Sequence, residues 1–227
     1  MASIAFDNSA DLGNNNQATN TLTTAYTTSG TNRVLYVGVM GDVNGGFDDI
    51  ASVTYAGILM TLVGKVLASA VVNRCTYLYV LENPVVGSNN VIVTSTNVHY
   101  LLAGAYSLNS GAQTGQPEAS SATATAADAS TYTTSLTSLS NNAWEILFEG
   151  GYNGGGGPNA GAGAIRRSFD LTFGTWGFFD SNGPITPPQL YSMTTTRTNV
   201  QNAIVHITAS TAPFSGLRLL PLTGVGR

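Results

Sequence analysis

The chain has 227 residues and a formal net charge of -4, which allows a substantial core and argues against a nucleic-acid binder, since that role needs clustered Lys and Arg to neutralise phosphates. Charged residues make up only 9% of it, against about 25% in an ordinary soluble domain. Gly, Ser, Thr, Asn and Ala carry the polar surface instead, and abundant Thr, Val and Tyr favour strands over helices.

The opening MASIAFDNSAD has neither the basic region nor the apolar run of a secretory signal. The longest apolar runs, such as VLYVGVM, fall far below the ~20 residues of a membrane helix. A soluble protein without a membrane partner is the expectation. Strand patterns begin at SIAF (3–6) and LTTAYTT (22–28). NRVLYVGVM (32–40) is apolar on both alternating faces, as a central strand covered on each side should be. SVTYAG (52–57) and ILMTLVGKV (58–66) read as a hairpin pair, followed by NRCTYLYVL (73–81), NVIVTST (90–96) and HYLLAGAYSL (99–108). Cys75 is the single cysteine and reads as a small core hydrophobe, with no internal disulfide available.

From 109 to 129 the residues are small and polar, and the stretch reads as a surface loop. YTTSLT (132–137) and NAWEILFEG (142–150) return to strand, and the glycine-rich 150–164 reads as a second long loop. RRSFDLTFGTWGFFD (166–180), QLYSMTTT (189–196) and NAIVHITAS (202–210) complete the pattern. No stretch carries a helical period and no internal repeat stands out. About twelve strands with alternation predict an all-β, two-sheet antiparallel β-sandwich of jelly-roll type. The expected organisation is one domain over 1–212 and a C-terminal arm over 213–227.

GDVNGGFDD (41–49) raises the question of calcium. Counted from Asp42, the stretch places Gly46, Phe47 and Val53 where a helix–loop–helix calcium site needs an oxygen ligand, a glycine and a glutamate. The first reading is therefore a strand corner, for which Gly, Asn and Asp are the usual residues. A looser Ca²⁺ site from Asp42, Asn44, Asp48 and Asp49 is the alternative, and no other cofactor is expected. In WEILFE, Glu145 and Glu149 lie roughly 13 Å apart along a strand, beyond the separation of a glycosidase pair, and read as solvated acids on an outer face. His99 and His206 lack zinc spacing. Neither a nucleophile elbow nor a nucleotide-binding glycine motif is present, so a non-enzyme is expected. In FGTWGFFD, Trp176, Phe178 and Phe179 read first as core or subunit contacts. With Tyr152 they could instead form a stacking platform for sugar rings.

The series NRVLYVGVMGD, ASVTYAGILMTLVGKV, NRCTYLYVLENPVVGSNNVIVTSTN and LLAGAYSLNSGAQTGQP, with NAIVHITA further on, resembles a family of β-sandwich modules of tailed-phage structural proteins and bacterial surface proteins. The resemblance covers most of 3–150 and implies structural or binding roles, with no catalytic residues to carry over. It implies a virion protein assembled in the host cytoplasm: a capsid decoration, head-fibre or tail-associated subunit. Its partners would be other virion proteins and further copies of itself, as in a trimer. The apolar arm residues Leu217, Leu219, Leu220 and Leu222 would then lie on a neighbour. The alternative is a carbohydrate-binding or adhesin module at a cell surface.

Overall fold

The computed structural model describes residues 3–42, 48–67, 74–125, 131–151, 157–170, 175–197 and 202–211. Its first half supplies β1 (Ala5–Asn14), β2 (Thr21–Thr28), β3 (Val34–Asp42), β4 (Ile50–Tyr55), β5 (Ile58–Leu59), β6 (Thr61–Val66), β7 (Cys75–Glu82), β8 (Gly87–Ser95) and β9 (Tyr100–Asn109). The second supplies β10 (Ala119–Thr125), β11 (Thr131–Thr137), β12 (Trp144–Gly151), β13 (Asn159–Ala160), β14 (Ile165–Asp170), β15 (Thr175–Asp180), β16 (Leu190–Thr196) and β17 (Asn202–Ala209).

These strands form four antiparallel sheets, ordered β1-β9-β3-β7-β6, β2-β8-β4-β5, β10-β17-β12-β15-β14 and β11-β16-β13. The all-β antiparallel sandwich expected from strand spacing is therefore present, but with four sheets where two were expected. In each half the first strand pairs with the last, the second with the next to last, and the third with a strand inside those, which is the nested pairing of a jelly roll. Apart from the short β5, the two halves match strand for strand. β1-β9-β3-β7-β6 corresponds to β10-β17-β12-β15-β14, and β2-β8-β4 to β11-β16-β13. The chain is a structural duplication that its sequence does not display as a repeat.

The four sheets stack as layers. Leu35, Val37 and Val39 of β3 pack with Tyr55, Val91 and Val93 between the first inner and outer sheets. Val34, Tyr36 and Met40, on the other face of β3, meet Ile146, Phe148, Trp176 and Val205 between the two inner sheets. Leu147, Phe179 and Ile204 meet Tyr132 and Met193 between the second inner and outer sheets. β3 is thus covered on both faces, as its two-sided apolar pattern requires. The inner sheets contribute to one shared core, with β1 beside β14, β6 beside β10, β9 beside β15 and β7 beside β17. Because β14 corresponds to β6 and β10 to β1, this is the arrangement a two-fold relation between the halves produces.

Close approach at the centre depends on glycine. Gly38 and Gly104 pair across β3 and β9. A Cβ on either would fall 2.3 Å from the ring of Phe148 or Trp176 respectively.

Two expected boundaries change. The stretch 109–129 contains β10, whose backbone pairs with β17 from Ala119↔Thr208 onward. As an edge strand it needs no large apolar residues, and its small side chains fit beside β6, where Ala122 lies against Gly64. The expected hairpin holds only between β4 and β5, closed by Ala56 and Gly57, both at positive φ. Met60 is buried after that pair, and β6 then joins the other sheet against β7.

Candidate functional site

β12 is the centre of the second half, paired with β15 on one side and β17 on the other. Its alternation sends Trp144, Ile146 and Phe148 to the shared core. Glu145, Leu147 and Glu149 point the other way. That second face is covered by the sheet β11-β16-β13, so Glu145 and Glu149 are both 0% exposed. The expectation of two solvated acids is corrected here: the fold provides a further layer where the sequence implied water.

Each acid has a basic partner. Oε2 of Glu145 lies 3.0 Å from Nε2 of His206, and both side chains are wholly buried. Thr208 donates from Oγ1 to Oε1 of Glu145 at 2.8 Å, and Oγ1 of Thr134 lies 3.4 Å from Nδ1 of His206. Oε1 of Glu149 lies 2.7 Å from Nε of Arg197, again with both side chains buried. Arg197 also donates to Oγ1 of Thr175 and, at 2.8 Å, to its backbone carbonyl. Burial pushes the Arg197 guanidinium below its ordinary value, and the Glu149 charge and hydrogen bond oppose that shift. A third buried acid, Asp180, lies between the inner sheets. It accepts from Tyr106 Oη at 2.6 Å and from Nε and Nη2 of Arg167 at 2.7 and 3.1 Å. The Arg167 guanidinium in turn covers the Phe6 ring at 4.3 Å. Burial, and then the Asp180 carboxylate, raise the Tyr106 phenol well above its usual value.

Trp176, Phe178 and Phe179 are each 0% exposed. Trp176 and Phe178 belong to the shared core, and Phe179 to the smaller cluster under the second outer sheet. With no face open to solvent they offer no sugar-stacking platform, and the core alternative is the one the fold realises. Tyr152 lies outside the described residues.

The acidic corner is divided. Asp48 pairs with Lys65. Asp49 sits 2.5 Å from His99 Nε2 and accepts from Thr96 Oγ1 at 3.2 Å. Asn44 and the side chain of Asp42 lie outside the described residues, as do the arm residues Leu217, Leu219, Leu220 and Leu222. Among the described residues no group of three or more His, Cys, Asp or Glu side chains could hold a metal ion. A surface groove of about 310 Å³ runs between Thr61, Val80, Leu81, Glu82, Gly115 and Gln116.

Glu149–Arg197 therefore ties the second outer sheet to the inner one, Tyr106–Asp180 ties the two inner sheets, and Glu145–His206 joins neighbouring strands of one sheet. Glu145, His206, Glu149 and Arg197 are sealed from any substrate. The sequence signal for them was faint: two acids inside an apolar run, and a histidine inside another. Only the register of β12 against β17 and the cover of the outer sheet join them. What remains accessible is the surface, and the strands of both outer sheets contain no charged or histidine residue. No family model, curated protein or solved structure matches the chain.

Proposed function

We propose that this protein is a non-enzymatic structural or accessory subunit of a tailed-phage particle, acting through protein–protein contacts as a capsid decoration, head-fibre or tail-associated component. The observation that carries the reading is the fused pair of jelly rolls sharing one core, with two broad sheet faces turned outward. Jelly rolls recur in capsid proteins as well as lectins, and the burial of Trp176, Phe178 and Phe179 removes the aromatic platform on which a lectin-like role was based. Uncharged outer strands rich in Thr and Ser suit close packing against neighbours, because they bring few charges to desolvate. The resemblance of NRVLYVGVM through GSNNVIVTSTN to phage structural modules points the same way. Protein mass spectrometry of gradient-purified particles of the encoding phage tests it. The protein is expected in many copies per particle. Its absence from particles, with abundance in the lysate supernatant, would overturn the reading.

A further inference from the structure

The two halves solve one packing problem in different chemistry. In the first, β3 presents Leu35, Val37 and Val39 and β9 presents Leu101, Ala103 and Ala105 to the outer sheet, all within one apolar cluster. In the second, the corresponding strands present Glu145, Leu147 and Glu149 from β12 and Ile204, His206 and Thr208 from β17. The apolar cluster there is small, formed by Tyr132, Leu147, Phe179, Met193 and Ile204. Replacing a buried ion pair by packed apolar residues is often neutral or stabilising, whereas removing one partner is strongly destabilising. The first half of the same chain carries a mainly apolar solution: Ser107 is the buried polar residue of β9 on that face, and the Asp49–His99 pair lies at the rim, with the His99 side chain 24% exposed. The second outer sheet instead lies over buried ion pairs whose charge depends on proton occupancy, one of which, Glu149–Arg197, reaches across to it.

We propose that the sheet β11-β16-β13 is a proton-sensitive layer, latched to the second inner sheet by Glu149–Arg197, seated over the Glu145–His206 pair buried within that inner sheet, and released by acid ahead of the other layers. The proton count gives the direction. The Glu145–His206 pair is neutral overall when it holds one proton between the carboxylate and Nε2, wherever that proton sits. One more proton leaves a net positive charge in a closed layer, and one fewer leaves a net negative charge. Protonating Glu149 likewise leaves Arg197 uncompensated. Among the described residues, the other side chains facing the pairs are neutral or already paired. β11 contributes Tyr132 and Thr134, β16 contributes Tyr191 and Met193, and β17 contributes Thr208. Burial first, then the Glu145 and Asp180 carboxylates, raise the Tyr191 phenol, so it stays neutral in acid. Asp180 is already held by Arg167 and Tyr106, and Arg166 is tied at the rim to the Pro158 carbonyl at 2.7 Å. The proposal rests on the buried pairs and is independent of the virion reading.

Hydrogen exchange of the full chain tests it, read by mass spectrometry between pH 7.5 and pH 4.5 and corrected for the intrinsic rate. Peptides from β11 and β16 are expected to lose protection by roughly tenfold or more in acid, while β2 and β8 in the apolar-backed outer sheet keep theirs. Equal loss in the two outer sheets, or no loss in either, would overturn the proposal. The double variant Glu145→Leu with His206→Ala imitates the first half and is expected to lessen the acid response of β11 and β16. An unchanged response in a folded variant would contradict the proposal. If the variant does not fold, the comparison of outer sheets in the native chain still decides.

Discussion

At the scale of single residues, the distance between the inner sheets is set by Gly38 and Gly104 beneath Phe148 and Trp176. Gly38→Ala would drive a methyl group into the Phe148 ring and is expected to cost about 1–3 kcal/mol. Phe148→Ala opens the same contact from the other side and should cost about 3–5 kcal/mol. Urea unfolding of both variants checks these values. The buried phenols give a pH dependence of definite sign. Burial raises the folded-state values of Tyr26, Tyr36, Tyr77, Tyr79 and Tyr106. The unfolded chain therefore releases its phenolic protons first as pH climbs past about 10, and stability falls there. Thermal melts should show Tm constant from pH 8 to 9 and declining above pH 10. Absorbance at 295 nm should show most tyrosines ionising only as the protein unfolds. Facing was legible at this scale in the alternation of VLYVGVM, because a strand's period fixes it. The partners of Glu145 and Glu149 were not, because His206 and Arg197 are some fifty to sixty positions away in sequence.

At the scale of elements, most strands were readable from alternation and turn residues, and the misses have a common cause. β10 and β13 are edge strands of small or polar residues, held mainly through backbone pairing, which leaves little trace in hydrophobicity. The β4–β5 turn offers a direct test of turn chemistry. Ala56 sits at φ 52, in a two-residue turn with Gly57, where Asn-Gly is the favoured pair. Ala56→Asn is expected to raise stability by about 0.5–1 kcal/mol, seen as a higher urea midpoint with an unchanged slope. The attachment of the second outer sheet is tested by Arg197→Met, which strands Glu149 and should cost about 3–5 kcal/mol. Adding Glu149→Leu should recover most of that loss.

At the scale of the whole molecule, nested pairing joins strands distant in sequence, such as β1 with β9 and β10 with β17. High contact order of this kind predicts slow folding, on the order of milliseconds to seconds or longer. The duplication escaped the sequence because corresponding strands share only their pairing order and inward pattern. Leu35 and Val39 on one side answer to glutamates on the other, so no residue identity marks the repeat. The shared core also predicts what a severed half does. A fragment ending near residue 112 would bare Tyr36, Met40, Leu102 and Tyr106, and it is expected to dimerise through that face or to aggregate.

The reading of the protein as a virion subunit requires association with its own kind through surfaces the fold leaves open. Its mass in solution, measured by multi-angle light scattering, is the most direct check. The account predicts a stable trimer or larger assembly of the 23.5 kDa chain, unchanged on dilution; a clean monomer at every concentration would contradict it.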